Sequence, residues 1–186
     1  MMRPLKWSLE RRGHQVFLTP LSPFCIQDVT KLAVELKDRI DEVLELTKVD
    51  EVDIVGISQG GVIGLWYLNN LYSGSGVRKF IAAGSPLQGT WASLVGLPFL
   101  GAVSKGLRQL IPNGKFIERL ASQMPEGVHV YTLAIAGDPV VPEERSRLEG
   151  ADNRVVRVWN TPIKHQFLIL SPNVLRQVGD LLEEPI

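Results

Sequence analysis

The stretch IVGISQGGVIG, residues 54–64, places a serine between two glycines that each stand two positions away. The bare pattern G-x-S-x-G is common by chance, so its surroundings decide its meaning. Residues 52–57 form a mostly apolar, strand-like run, and residues from about 60 to 71 have a helical pattern. A serine on a tight turn between a strand and a helix holds its hydroxyl above the sheet edge. The setting therefore predicts that Ser58 is a nucleophile.

The neighbouring glycines have a steric explanation. A side chain two positions before or after the serine would collide with the adjacent strand and helix, so we expect Gly56 and Gly60 to allow no Cβ. Gly61 and Gly64 continue the small-residue pattern and predict close packing of the helix on the sheet. The amino terminus of this helix also favours developing negative charge beside Ser58.

The rest of the chain alternates between strand and helix patterns. Helices are predicted to end near Arg12, before Gly13, and to span 28–48, about 60–71 and about 172–182. Strands are predicted at 15–19, 52–57, 77–83, 128–136 and 155–159. Such alternation implies parallel pairing, with helices on both faces of one sheet. We predict a single α/β domain over residues 1–186, with a mostly parallel sheet of about five strands.

Residues 85–127 interrupt this alternation. They are rich in glycine, proline and apolar residues and have no strand pattern. Two interpretations stay open, a helical connection packed on the core and a cap or lid over a substrate pocket. In the second, an apolar acyl chain would contact Trp91, Leu94, Leu97 and Phe99.

A nucleophilic serine needs a base, and the chain has three histidines. His14 precedes the first predicted strand, where the chain enters the sheet, and His129 lies within a strand. His165 follows the strand at 155–159 and precedes the last helix. Sites of parallel sheets form beyond the carboxyl ends of the strands, so His165 is the predicted base.

The base needs an acid to orient its ring. Asp138 follows the strand at 128–136 and emerges at the same sheet edge as the serine and histidine. Glu143 and Glu144 have the pattern of a first helical turn, and Asp152 that of a turn before a strand. The predicted order is therefore serine, Asp138, histidine, which is the order of α/β-hydrolases.

Four stretches resemble the bacterial lipase and esterase group of the α/β-hydrolase superfamily. VDIVGISQGGVIGLWYL is similar to its elbow V-D-L-V-G-H-S-M-G-G-L, and FIAAGSPLQGT to its strand followed by G-[ST]-P-x-x-G-T. IAGDPVVPEERSRLEGADN resembles its block carrying the catalytic acid, and KHQFLILSPNVLRQVGDLL its histidine and final helix. The resemblance covers about 7–182. It implies hydrolysis of carboxylic esters through an acyl-enzyme, without a metal or other cofactor.

The chain departs from that pattern in three places. Ile57 stands where a histidine is usual, and Lys164 precedes His165 where a glycine is usual. The family also has a mid-sheet strand ending in His-Gly before the helix that here begins the chain. The loop after that strand donates the second hydrogen bond to the oxyanion, so the fold is expected to be shortened at its amino terminus.

The absent strand would leave backbone groups unpaired on its neighbours. The strand at 15–19 could close onto its new neighbour, the fold could need a partner, or the recorded start could be internal. We expect the third. Localisation depends on it: the chain as written has no signal peptide and is expected in the cytoplasm, whereas a start lying upstream would allow secretion.

Composition narrows the partners. The 186 residues are 45% hydrophobic, and 20 basic side chains balance 20 acidic ones, which argues against nucleic acid or an anionic membrane as a partner. No apolar run reaches the length of a membrane span. Cys25 is the single cysteine, so no intrachain disulfide forms. The expected partner is a small-molecule or lipid ester.

The leading hypothesis is therefore a lipase-like or esterase-like serine hydrolase. Ser58 would attack the ester, His165 would transfer the proton, Asp138 would orient the histidine, and the backbone N–H of Gln59 would donate to the oxyanion. The alternative is a catalytically weak or inactive α/β-hydrolase fold that serves as a binding or interaction module. The departure at the amino terminus favours this alternative, and the presence of all three side chains favours the enzyme.

Overall fold

The computed structural model describes residues 2–19, 27–93, 104–159 and 163–186. Its helices and strands alternate along the chain, and their bounds are α1 Arg3–Glu10, α2 Val29–Thr47, β1 Val52–Ile57, α3 Gln59–Asn70, β2 Val77–Ala83, α4 Lys105–Gln109, α5 Lys115–Ala121, β3 His129–Ile135, α6 Glu143–Ser146, β4 Asp152–Val156, a 3₁₀ helix Lys164–Leu170, and α7 Pro172–Glu183. Among the described residues, none of these helices is long and apolar enough to cross a membrane.

The four strands form one parallel sheet in the order β1-β2-β3-β4. The predicted α/β class and parallel pairing are therefore confirmed. Because all strands run the same way, their carboxyl ends lie along one edge of the sheet. The chain leaves β1 at Ser58, β3 just before Asp138, and β4 shortly before His165. This edge is where the predicted site residues can meet.

Apolar side chains are buried on both faces of the sheet. Phe80 and Ile81 are neighbours in β2, point to opposite faces, and are both completely buried. Phe80 belongs to a cluster with Leu36 of α2 and Leu65 of α3. Ile81 belongs to a second cluster with Leu5 of α1 and Val178 of α7. Helices α2 and α3 thus cover one face, and α1 and α7 cover the other.

The predicted strand at 15–19 is wrong, since residues 14–19 form neither a helix nor a strand. Strand-forming residues become a strand only when they have a partner on the sheet. Here the carbonyl of Val16 accepts a hydrogen bond from Lys6 Nζ of α1 at 2.7 Å, which holds the segment against the helix. The described part of the sheet therefore has four strands rather than about five.

The last predicted strand is displaced towards the amino terminus. The sequence pattern placed it at 155–159, whereas β4 spans Asp152–Val156. Asp152 pairs with Tyr131 in the parallel register, so it is the first residue of the strand instead of a turn before it. The remaining predicted strands and the long helices match within two residues.

The described part of the 85–127 segment is largely helical. Ile117 and Leu120 of α5, together with Leu110 after α4, are buried in the cluster that contains Phe80. This part of the segment agrees with the interpretation as a helical connection packed on the core. Residues 94–103 lie outside the described residues, and the interpretation of 85–127 as a cap stays a prediction.

Candidate active site

Ser58 lies on a strained turn between β1 and α3. Its backbone has φ +52° and ψ −123°, a conformation that non-glycine residues rarely adopt and that surrounding contacts must maintain. Its N–H donates to the carbonyl of Ala83 at 2.9 Å, and its own carbonyl accepts from Gly61 at 3.0 Å. Although Ser58 is the residue before the helix, its hydroxyl makes no capping hydrogen bond. The hydroxyl is therefore left for other partners.

Gly56 and Gly61 allow close packing around the serine, whereas the motif suggests Gly56 and Gly60. A Cβ on Gly56 would lie 2.6 Å from the backbone of Gly60, and a Cβ on Gly61 would lie 2.1 Å from Ser85 Oγ. A Cβ on Gly60 would meet nothing within 4 Å. The steric expectation therefore holds at Gly56 and is wrong at Gly60. The close contacts with Ala82 of β2 and with Ser85, which follows β2, are made by Gly61 instead.

His165 lies beside the serine hydroxyl. Its Nε2 is 2.9 Å from Ser58 Oγ, and its side chain is 12% exposed. The sequence did not predict the 3₁₀ helix that carries the histidine, Lys164–Leu170. The other two histidines lie elsewhere: His14 Nε2 is 3.6 Å from Glu183 Oε1 of α7, and His129 is exposed at the start of β3.

Asp138 lies on the far side of the histidine ring. Its Oδ2 is 2.6 Å from His165 Nδ1, while its Oδ1 accepts hydrogen bonds from the N–H groups of Val140 at 2.8 Å and Val141 at 3.2 Å. The carboxylate side chain is fully buried. Since both oxygens have donors, the carboxylate is held in one orientation and places its negative charge against Nδ1.

Two of the three rival acids have other partners. Glu143 accepts a hydrogen bond from the backbone N–H of Gly137 at 3.3 Å, and Glu144 lies in the same short helix, α6. Asp152 pairs with Arg154, with Oδ2 2.7 Å from Nη2. The structure therefore brings Asp138 to the histidine, while Glu143 and Asp152 have other hydrogen-bond partners.

A second loop supports the loop that carries Asp138. The hydroxyl of Thr90 donates a hydrogen bond to the carbonyl of Val140. The backbone N–H of Gln88 donates to the carbonyl of Arg145 at 3.0 Å, and Arg145 Nη1 donates to the carbonyl of Gln88 at 3.0 Å. We did not predict a role for these residues, although the stretch FIAAGSPLQGT, which contains Thr90, was among those that resembled the family.

The residues predicted to contact an acyl chain are described only in part. The indole of Trp91 is 52% exposed, and the guanidinium of Arg145 lies 5.7 Å from its ring centre. Leu94, Leu97 and Phe99 lie outside the described residues. Trp91 directly follows Thr90, whose hydroxyl donates to Val140. Trp91 therefore lies close in sequence to the contact that supports the loop carrying Asp138.

Gln59 begins α3 directly after the serine. The N–H groups of a first helical turn have no acceptor within the helix, and the positive end of the helix dipole lies there. The Gln59 residue is 8% exposed, and its side-chain Nε2 is buried without a hydrogen-bond partner among the described residues. The described residues contain no cluster of three or more His, Cys, Asp or Glu side chains that could hold a metal ion.

The chain is similar in structure to several solved lipases and esterases, although its sequence identity to them is low. No protein-family model and no curated protein matches the chain. The mature lipase BlEst2 from Bacillus licheniformis is 21% identical, with a TM-score of 0.67, over 87% of this chain and 76% of that protein. The phospholipase PlaB from Legionella pneumophila is 12% identical, with a TM-score of 0.76, over 97% of this chain and 55% of that protein, so this chain spans about half of its length.

A third solved structure carries the name of the architecture. MGS-MChE2, an alpha/beta hydrolase enzyme from a sediment metagenome of the Mar Chica lagoon in Morocco, is 18% identical with a TM-score of 0.52, over 89% of this chain and 74% of that protein. At these identities the likeness lies in the fold. With four described parallel strands in one sheet, helices on both faces and a strand-turn-helix at Ser58, the chain has the α/β-hydrolase fold.

Proposed function

We propose that the protein is a serine hydrolase that cleaves carboxylic esters through an acyl-enzyme. The observation that carries the proposal is the hydrogen-bonded row from Ser58 Oγ to His165 Nε2, 2.9 Å, and from His165 Nδ1 to Asp138 Oδ2, 2.6 Å. Nucleophile, base and orienting acid are recognised by such geometry. The lipases among the solved structures with this fold add support.

The row assigns a role to each side chain. Ser58 Oγ attacks the carbonyl carbon while its proton moves to His165 Nε2, and Asp138 stabilises the imidazolium that forms. When the tetrahedral intermediate collapses, the same proton passes from Nε2 to the leaving alcohol, and the acyl group stays on Ser58. A water molecule then attacks the acyl-enzyme and gives its proton to Nε2. When this second intermediate collapses, the bond from the acyl carbon to Oγ breaks, Nε2 returns the proton to Ser58 Oγ, and the carboxylic acid leaves.

The oxyanion of the tetrahedral intermediate is proposed to lie at the start of α3. The backbone N–H of Gln59 supplies one donor, and the helix dipole adds partial positive charge. One donor contributes about 10²–10³ in rate, so the N–H of Gln59 by itself would support slow turnover rather than none.

An apolar acyl group is the proposed substrate feature. Trp91, the residue after Thr90, has an exposed side chain, and residues 94–100 are mostly apolar. The names of the neighbouring structures, which include lipases and a phospholipase, support a lipid or small-molecule ester. Thioesters and amides undergo the same chemistry, so the substrate class has to be measured.

Hydrolysis of p-nitrophenyl esters of increasing acyl length tests the proposal. Wild-type protein is expected to release p-nitrophenol, and Ser58→Ala is expected to lose at least about 10³-fold in kcat/KM. Ser122→Ala is a matched control, because Ser122 follows α5 and bonds only to the backbone of its own helix end. Equal rates for wild type and Ser58→Ala would refute the proposal.

A second candidate function is a binding module with little or no catalytic activity. One observation favours it: β1 forms an edge of the sheet and has no described partner on its outer side. The aligned row of three side chains argues for the enzyme instead. Folded wild-type protein that hydrolyses no ester in the series would favour the binding module.

A further inference from the structure

The orientation of Asp138 depends on two backbone N–H groups that lie just after it in the chain. Its Oδ1 accepts hydrogen bonds from Val140 at 2.8 Å and from Val141 at 3.2 Å, while its Oδ2 lies 2.6 Å from His165 Nδ1. Because a carboxylate is planar, holding one of its oxygens also fixes the direction of the other. The direction of Oδ2 towards the histidine is therefore set by the peptide groups around Val140.

The second of these peptide groups is held from its other side by Thr90. The hydroxyl of Thr90 donates a hydrogen bond to the carbonyl of Val140, and its oxygen accepts one from the N–H of Ala92 at 3.2 Å. The carbonyl of Val140 and the N–H of Val141 belong to one planar peptide group, in which they point in opposite directions. By fixing this carbonyl, the Thr90 hydroxyl directs the N–H of Val141 towards Asp138.

Thr90 is itself fixed to the core of the protein. Its N–H donates to the carbonyl of Leu110 at 2.9 Å, and its carbonyl accepts from Ser93 Oγ at 2.6 Å. Thr90 is buried, and Leu110 belongs to the buried apolar cluster that contains Phe80. The Thr90 hydroxyl therefore has little freedom, and it ties the loop that carries Asp138 to this cluster.

We propose that Thr90 is a positioning residue of the active site, which acts on His165 through the peptide group after Val140 and the carboxylate of Asp138. This role builds on the hydrolase function proposed above. Without the hydroxyl, the carbonyl of Val140 loses its donor, and the carboxylate is no longer held in the one direction that orients the imidazole. Thr90 is expected to affect the chemical step rather than substrate binding, because its hydroxyl bonds to backbone groups of Ala92 and Val140.

Replacing Thr90 by valine removes the hydroxyl and keeps a branched side chain. For p-nitrophenyl acetate, Thr90→Val is expected to lower kcat about 10–10²-fold and to leave KM within about twofold of wild type. Thr90→Ser keeps the hydroxyl and should retain kcat to within about threefold. Thr132→Val is the matched control, since Thr132 is also buried and its hydroxyl donates to Asn153 Oδ1 of β4 at 2.7 Å. Both valine variants should lose thermal stability, but Thr132→Val should keep kcat.

A double-substitution cycle tests whether Thr90 acts through Asp138. If it does, Thr90→Val should change kcat by less than about twofold in a chain that already carries Asp138→Asn, because the charge that Thr90 helps to direct is then absent. Additive losses would show that Thr90 acts by another route and would overturn the inference. A wild-type kcat in Thr90→Val, or an equal loss of kcat in Thr132→Val, would overturn it as well.

The proton between His165 Nδ1 and Asp138 provides a measurement that needs no turnover. In protein that contains isotopically labelled histidine, the nuclear magnetic resonance of this proton is identified by the shift that Asp138→Asn causes. Thr90→Val should shift or broaden the resonance, whereas Thr90→Ser and Thr132→Val should leave it unchanged. A folded wild type without esterase activity would refute the proposed function, and the resonance would then still decide the role of Thr90. An unchanged resonance in Thr90→Val would overturn the inference.

Discussion

His165 Nε2 lies 2.9 Å from Ser58 Oγ although 107 residues separate the two in the chain. The serine is held by the turn after β1, whereas the histidine is carried by a 3₁₀ helix that follows β4. Leu168 fixes this helix to the sheet: it is 1% exposed and packs where a Cβ on Gly84 would lie only 2.4 Å from its Cδ1. The contact of Leu168 with Gly84 at the end of β2 therefore helps to position the base.

Leu168→Ala is expected to lower both stability and turnover. Removing a buried leucine side chain costs about 2–5 kcal/mol of unfolding free energy, and the 3₁₀ helix would lose the contact that positions His165. Chemical denaturation and kcat for a p-nitrophenyl ester measure the two effects. Leu170→Ala is the control, because Leu170 lies in the same helix and is 44% exposed. Equal effects of the two substitutions would contradict the role of Leu168.

Asp138→Asn should reduce kcat by about 10³–10⁴-fold while the protein remains folded. The asparagine oxygen can keep the hydrogen bonds from Val140 and Val141, but the neutral amide cannot stabilise the imidazolium. Asp152→Asn should leave kcat within about twofold of wild type, since Asp152 pairs with Arg154 on β4. If Asp152→Asn instead abolishes turnover, the acid is wrongly assigned.

Two neighbouring glycines should respond in opposite ways to the same substitution. Gly61→Ala would place a Cβ 2.1 Å from Ser85 Oγ, in a buried contact between α3 and the residues that follow β2, and should lower the thermal midpoint by several degrees. Gly60→Ala meets nothing within 4 Å and removes backbone freedom from a helix, so it should be neutral or stabilising by about 0.5–1 kcal/mol. Thermal unfolding followed by circular dichroism compares them. A larger loss at Gly60 would contradict the packing.

Asp28 should make stability depend on pH in the acid range. Its burial raises the pKa of the carboxyl group, but hydrogen bonds from Lys105, Gln109 and Thr30 outweigh burial and lower the pKa from 3.8 to about 2. The stabilisation is therefore present above pH 3.8 and is lost as the pH falls towards 2. Its size is about 1–2 kcal/mol, because Lys105 is largely exposed to solvent.

Urea denaturation of Asp28→Asn measures this contribution. The difference in unfolding free energy from wild type should be present at pH 7, decline as the pH falls from 3.8 to about 2, and vanish below that, where the Asp28 carboxyl of the folded protein is protonated. Asp41→Asn serves as the control, since Asp41 and Lys37 form an exposed ion pair on α2, which contributes little. A difference for Asp28→Asn that stays constant across this range would contradict the shifted pKa.

Much of the candidate site could be predicted because parallel strands order their carboxyl ends along one edge. Ser58, Asp138 and His165 each follow a strand, so their convergence could be expected before their distances were known. The 3₁₀ helix around His165 could not be predicted, since its formation depends on the burial of Leu168 against Gly84. That contact joins residues that are distant in sequence.

The error at 15–19 has a similar origin. Val16 and Phe17 are good strand residues, but a strand also needs a neighbour whose backbone groups lie in register, and sequence pattern carries no information on that neighbour. The carbonyl of Val16 accepts a hydrogen bond from Lys6 Nζ instead of from a neighbouring strand. The displacement of β4 has the same cause. The strand begins at Asp152 because that residue pairs with Tyr131 of β3, and the sequence pattern does not contain this pairing.

Labelling with a fluorophosphonate probe tests the nucleophilic role of Ser58 most directly, since the probe reports an activated serine whatever the natural substrate is. Intact mass and peptide mapping should find one phosphonyl group on Ser58 of the folded wild type and none on Ser58→Ala. Adducts on Ser58→Ala as abundant as on wild type, or an unlabelled but fully folded wild type, would contradict the account.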